Sequence, residues 1–260
     1  VNRLFISIEF RGVPMSLNLI RTRRPLVHCM TNTVVMNFTA NGLLSVGASP
    51  IMADAIEEVA DIVQISDALL INIGTINART VASMKLAIET AKEKNIPIVF
   101  DPVGAGASAF RLETARQMLS NKQITLLRCN AGELAAIVGA NWQANGVDCG
   151  AGDANIEQLA KEAALRFSCL VIVTGEHDIL TDGVNVKRID GGHEKITHIT
   201  GVGCLLSALS AALLASSQEP LRDLEVLLRD YKHAAKQAFA PIGTYQVQFL
   251  NELERLSEVK

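Results

Sequence analysis

The sequence predicts an α/β fold: a three-layer domain with a mainly parallel central sheet, helices on both faces and an antiparallel edge. Three observations carry this reading. Strand-length apolar runs alternate with helix-length amphipathic segments through most of the chain. Hydrophobic residues make up 49% of the 260 positions and aromatics only 4%, so the core is built from Ala, Val, Ile and Leu, which suits strands buried on both faces. Late in the chain, DILTDG and NVKRID read as a hairpin, which supplies the antiparallel edge.

Taken in order, residues 1–15 (VNRLFISIEFRGVPM) read as an extension, with Met15 a candidate start; residues 16–260 read as one domain. The first apolar run is broken by Arg3, Glu9 and Arg11, so it is not a signal peptide. PLVHCM is a short apolar piece. In TNTVVMNFTANGLLSVGASPIM, Asn32, Asn37 and Asn41 with Gly42, Gly47 and Pro50 suggest turns around a short helix. Amides beside small residues suit a small-molecule pocket, and equally suit caps and turns.

From Ile56 the alternation is regular. EEVADIVQIS reads as helix, ALLINIGT as strand, ARTVASMKLAIETAKEKN as helix and IPIVFD as strand. RLETARQMLSN reads as helix, ITLLRCN as strand and AGELAAIVGA as helix. NWQANGVDCGAGDAN is a glycine-rich loop, IEQLAKEAALRF a helix, CLVIVTG a strand and EKITHI a last strand.

Residues 199–217, ITGVGCLLSALSAALLASS, then read as a glycine turn feeding a buried helix. The first N–H groups of a helix lack internal partners and carry partial positive charge, so an anion can sit on them. The equal alternative is a packed helix whose glycines only turn the chain. Ligands of open parallel sheets bind beyond the carboxyl ends of the strands. The residues expected there are Gly74 and Thr75, Asp101, Arg128 and Asn130, Thr174 and Gly175, and the Gly201 turn. Arg128 suits phosphate through its forked donors. Asp101 and Glu133 are hard oxygen ligands suited to Mg²⁺. Each of these residues taken singly is also explained as a cap, a turn opener or a surface charge.

Several classes are disfavoured. Net charge is −3 without a basic block, which argues against nucleic acid as a partner. The longest apolar run, about 12 residues from Cys204, is short of the roughly 18 needed to span a membrane. The five cysteines are odd in number and lack a CxxC pair, so neither a disulfide framework nor a zinc site is indicated, and a reducing, cytosolic compartment is expected. No GxxxxGK[ST] occurs. A GxGxxA does, from Gly104 to Ala109, but Asp101-Pro102 separates it from its strand and the next strand lacks a ribose-binding acid, which argues against a dinucleotide fingerprint.

PLVHCMTN, FTANGLLSVGASPIM, ALLINIGT, DPVGAG, RCNAGE, VIVTGEHD with TDG, and GVGCLLSA occur in that order. Together they resemble the hydroxyethylthiazole kinases of thiamine salvage, within the ribokinase-like superfamily, over about residues 25–250. The resemblance implies ATP-dependent, Mg²⁺-assisted phosphorylation of 4-methyl-5-(2-hydroxyethyl)thiazole by a cytoplasmic homotrimer with pockets at subunit boundaries. It implies that Met52 and Gly201 contact the thiazole and that Arg128 and Thr174 contact ATP; from their own positions Asn32 and Gly74 are further substrate-side candidates, and Val202 and Gly203 form the candidate anion turn. Cys204 takes the catalytic position where most ribokinase-like enzymes carry aspartate. Asn130 and Glu133 match the family's metal and phosphate segment, and Asp101 stands beside them as a candidate metal ligand from its own chemistry, directly or through water. The chain departs from the family at Val202, where threonine is usual, and at Cys129, where glycine is common. An unperturbed thiol has a pKa of about 8.5, and a helix N-terminus is expected to lower it. Alternatives are another small-alcohol kinase, such as a hydroxymethylpyrimidine kinase; an ATP-dependent NAD(P)H-hydrate dehydratase; and a thiazole- or nucleotide-binding protein without turnover.

Overall fold

The computed structural model describes residues 16–140 and 149–259. In chain order its elements are α1 (Ser16–Arg23), β1 (Leu26–Met30), α2 (Met36–Ser45), β2 (Ser49–Ile51), α3 (Val59–Ile65), β3 (Ala68–Asn72), α4 (Ala78–Lys94), β4 (Ile98–Asp101), α5 (Ala109–Ser120), β5 (Leu126–Asn130), α6 (Ala131–Val138), α7 (Cys149–Phe167), β6 (Leu170–Thr174), β7 (Asp178–Thr181), β8 (Val186–Ile189), a 3₁₀ turn (Glu194–His198), α8 (Val202–Leu214), α9 (Pro220–Gln237) and α10 (Ile242–Glu258).

The strands form one eight-stranded sheet in the order β2-β1-β3-β4-β5-β6-β7-β8. β1 to β6 run parallel, and β7 and β8 are antiparallel at the edge. Successive strand residues point to opposite faces. Leu70, Val99, Leu126 and Ile172 therefore join one core with α1, α2, α8, α9 and α10. Leu69, Ile71, Phe100, Leu127 and Val171 join the second core, under α3 to α7. That layering is the one expected.

α8 is the central helix of the first core. Every residue from Cys204 to Leu214 is buried, and a helix apolar all round belongs inside a fold. It packs across β1, β3 and β4, which aims its N-terminus at the carboxyl edge of the sheet. The strand order reverses between β1 and β3, so a crevice opens between the loops that follow those two strands. Asn32 stands on one side of it and Gly74 on the other.

Three local expectations are corrected. EKITHI is a 3₁₀ turn rather than a strand, because the His193 side chain accepts the Lys195 N–H at 3.1 Å and starts a helical turn. Gly42 lies inside α2 rather than in a turn; Leu205 of α8 occupies the space that a side chain there would take. The loop expected over residues 141–155 is helical from Cys149, where the packed length of α7 overrides Gly150 and Gly152; residues 141–148 of that loop, and the extension expected over residues 1–15, lie outside the described residues.

Candidate active site

The site is built around the first turn of α8. Gly201 is its N-cap at φ +92°, a left-handed conformation that side-chain-bearing residues rarely adopt. A Cβ there would also stand 2.6 Å from Val35 Cγ1. Gly203 is required for a different reason: a Cβ would lie 2.5 Å from both terminal nitrogens of Arg128. The Arg128 guanidinium thus lies directly against the N-terminal turn of the helix. A cation at the positive end of a helix is unfavourable unless an anion is shared between them. The guanidinium is otherwise only partly satisfied: it donates to Thr174 Oγ1 at 2.5 Å and reaches Asp101 Oδ2 at 3.5 Å, while its buried Nε has no partner. Arginine and helix end together direct donors and positive charge at one point beyond the sheet edge.

Beneath this turn runs a buried polar network. Asn32 Nδ2 donates to Asn72 Oδ1 at 3.0 Å and contacts Cys204 Sγ at 3.5 Å. Asn72 Nδ2 donates to Asp101 Oδ2 at 3.1 Å, and Ser207 Oγ donates to the same oxygen at 2.7 Å. Asp101 is wholly buried and its Oδ1 has no partner. Burial raises its pKa against the pull of Arg128, Ser207 and Asn72. Burial also opposes the charge on Arg128, but the Asp101 and Glu133 carboxylates raise its pKa, so it stays a cation.

Cys204 does not follow the expectation for a thiol at a helix N-terminus. Burial, then the Asp101 carboxyl, push it up to about 11, outweighing Asn72, Arg128 and Asn32. The thiol is neutral in the free protein at ordinary pH.

Glu133 and Asn130 form a capping box at the start of α6. One Glu133 oxygen accepts the Asn130 N–H at 2.9 Å, and the other accepts the Gly104 N–H at 2.9 Å. Burial, then Asp101, raise the Glu133 pKa. Among the described residues, no group of three or more His, Cys, Asp or Glu side chains could hold a metal ion. Gly74 lies against Asn32, and its N–H donates to Asn72 Oδ1 at 3.0 Å. Met52 follows β2, one strand beyond Asn32, half-buried against the core that holds α8. The Cys204–Asn32–Asn72–Asp101 chain of contacts does not include Met52 or Thr174.

Several supporting residues were not singled out from the sequence. Asn72 is the one polar residue of the strand ALLIN, and Ser207 is one of two in the apolar run of α8; each was visible as an interruption. Arg111 donates to the carbonyls of Ile73, Gly74 and Val103 at 2.7, 2.7 and 2.8 Å, holding the loops after β3 and β4. His28, fully buried in β1, bonds through Nε2 to the Ala53 carbonyl at 2.8 Å, next to Met52; since a carbonyl only accepts, Nε2 carries the proton. Tyr231 of α9 donates to the Val202 carbonyl at 2.6 Å. Nothing in sequence periodicity pairs such distant residues.

A mainly parallel sheet with an antiparallel edge, helices on both faces and a helix N-terminus facing a buried arginine define a three-layer α/β protein with a polar crevice at the carboxyl edge of its sheet. The model of the hydroxyethylthiazole kinase family matches residues 17–259, and the chain belongs to that family. It is 50% identical over 247 residues to the hydroxyethylthiazole kinase of Lysinibacillus sphaericus, covering 94% of this chain and 97% of that protein. The solved structure of a hydroxyethylthiazole kinase from Pyrococcus horikoshii is 39% identical with a TM-score of 0.84, over 92% of this chain and 91% of the other. A ribokinase-like superfamily protein from Enterococcus faecalis, 11% identical with a TM-score of 0.62 over 95% and 91%, shares the fold.

Proposed function

We propose that residues 16–260 act as one kinase domain that moves the γ-phosphoryl group of ATP to the hydroxyethyl oxygen of 4-methyl-5-(2-hydroxyethyl)thiazole. The observation that carries this reading is the meeting of the Val202–Cys204 turn, the Arg128 guanidinium and the Cys204 thiol at one crevice. Phosphoryl transfer is largely positioning and charge stabilisation, and this is the equipment it needs. Arg128, with Thr174 behind it, holds the nucleotide phosphates. The Val202 and Gly203 amides face the transferring group. Asn32, Gly74, Gly201 and Met52 line the thiazole side, and Cys204 stands beside the attacking hydroxyl to take its proton late in the reaction.

The residues present fit Mg²⁺. Asp101 Oδ1 is a buried acceptor without a partner, and a carboxylate or two completed by phosphates and water is the usual magnesium shell. Asp101, with Glu133 and Asn130 through water, would hold the ion, which supplies neutralisation of phosphate charge. We read the working assembly as a homotrimer in the cytoplasm. Among the described residues no helix is long and apolar enough to cross a membrane. A measured solution mass about three times the 27.9 kDa of one chain would support the trimer, and a mass equal to one chain would overturn it.

The test is ADP release from ATP with the thiazole alcohol, set beside sugars and hydroxymethylpyrimidine. Turnover with the thiazole alone supports the reading. Turnover with the pyrimidine, or thiazole binding by calorimetry without ADP release, replaces it with the corresponding alternative.

A further inference from the structure

We propose that Tyr231 is a positioning residue for the phosphoryl-binding turn: its phenol holds the Val202–Gly203 peptide so that the Gly203 N–H faces the transferring group. The inference rests on the reading of the turn given above. The Tyr231 hydroxyl donates to the Val202 carbonyl at 2.6 Å. That carbonyl and the Gly203 N–H belong to one planar trans peptide and point in opposite directions. Fixing the oxygen end therefore fixes the hydrogen end. The carbonyl has two lone pairs, so the phenol bond adds to the helical ladder without replacing it. A donor on the carbonyl also polarises the peptide and strengthens its N–H.

The phenol is itself held. The Tyr231 ring is buried and meets Phe249 edge to face, with centroids 4.9 Å apart at 88°. Burial raises the phenol pKa well above 10, so it remains a donor. On the other side of the turn, the space beyond Gly203 is filled by Arg128. The peptide is thus gripped between a phenol and a guanidinium, and its N–H is left for the substrate. Such fixed backbone donors act because they are already aimed where charge develops.

The chain provides its own control. Its only other tyrosine, Tyr245, makes the same kind of bond, phenol to the Ala235 carbonyl in a buried setting, one helical turn further along α9 than Tyr231 and not to the α8 turn. Tyr231→Phe should lower kcat roughly 5- to 50-fold, less than loss of an oxyanion donor outright. KM for the thiazole alcohol should stay within about twofold, because the lost aim matters in the transition state. Tyr245→Phe should lower Tm comparably and keep kcat. Equal kcat in the two variants would overturn the proposal. A second measurement does not depend on Tyr231→Phe folding. With 3-fluorotyrosine throughout, the parent chain gives two ¹⁹F resonances, assigned with Tyr245→Phe. The Tyr231 signal should move on adding a non-hydrolysable ATP analogue with the thiazole alcohol, while the Tyr245 signal holds; no movement at Tyr231 overturns the inference. Lack of thiazole turnover by the parent would sink the reading of the site as well, whereas normal turnover with an indifferent Tyr231→Phe sinks this inference alone.

Discussion

Replacing Cys204 with aspartate separates two effects that the structure sets against each other. The thiol pKa is pushed up to about 11. At pH 7.5 roughly one molecule in 3,000 then carries a thiolate. A carboxylate in its place, with a pKa of about 4 to 6 depending on how far burial raises it, would be ionised almost throughout, a gain of roughly 3,000-fold in base population. It would also be about 5 to 7 pK units less basic, which at a Brønsted slope of about 0.5 loses roughly 300- to 3,000-fold. The effects nearly cancel, so Cys204→Asp should show kcat equal to the parent's or up to about tenfold higher. Cys204→Ala, with no base, should fall roughly 10- to 1,000-fold. The pH profile of kcat distinguishes the two bases. The parent's should climb from pH 6.5 to 9.5, because the thiol's folded pKa lies above that window. The aspartate variant's should be flat once its carboxyl has ionised. The assay is coupled ADP release, with Tm recorded to show that the added carboxyl near Asp101 is tolerated. Cys204→Ala turning over at the parental rate would refute the base role, and a parental pH slope in Cys204→Asp would refute the thiol as its origin.

Three further outcomes are expected. Gly203→Ala adds helix propensity worth about 0.5–1 kcal/mol, yet its Cβ would displace the Arg128 guanidinium, so ATP turnover should fall by roughly tenfold or more while chemical unfolding shows a chain that is still folded and loses less than Arg128→Ala does. Arg128→Ala leaves Asp101 buried without its cation, and denaturant unfolding should register a loss of about 3 kcal/mol along with weaker ATP binding by calorimetry. Asp230 accepts the Ser16 hydroxyl at 2.9 Å, and burial raises its pKa from 3.8 to about 6. An acid whose folded pKa is raised contributes stability that is full below the unfolded value and is lost as pH rises through the folded one. The parent should therefore lose about 2 kcal/mol between pH 4.5 and 7.5 relative to Asp230→Asn, read as the difference between their unfolding free energies.

The sheet was legible in the sequence because its strands are short apolar runs bounded by turn residues and separated by amphipathic helices, a pattern that needs no long-range information. The EKITHI segment fails that test: alternation alone reads as strand, whereas the His193 side chain capping the Lys195 N–H makes a helical turn. Gly42 fails it in the opposite sense, since a glycine inside a helix is explained only by what packs on it, here Leu205, more than 160 positions away. In the site, the Gly201 turn, Arg128 and Cys204 were visible as residue types at strand and helix ends. Asn72, Ser207, Arg111 and Tyr231 were not, because each acts through a partner remote in sequence.

By itself the sequence determined the layered fold, the glycine turn before an all-apolar helix and the ordered motifs of a thiazole kinase. Local propensity, hydrophobic periodicity and fixed spacing are enough for those. Only the tertiary structure decided that Arg128 lies against that turn, the contact on which the proposed anion site rests. It alone decided that Cys204 is a neutral thiol rather than an activated one, because desolvation and the neighbouring Asp101 carboxyl outweigh the helix end. Charge state and donor direction depend on what surrounds a group in space, and the chain brings those surroundings from α8, α9 and several separate strands.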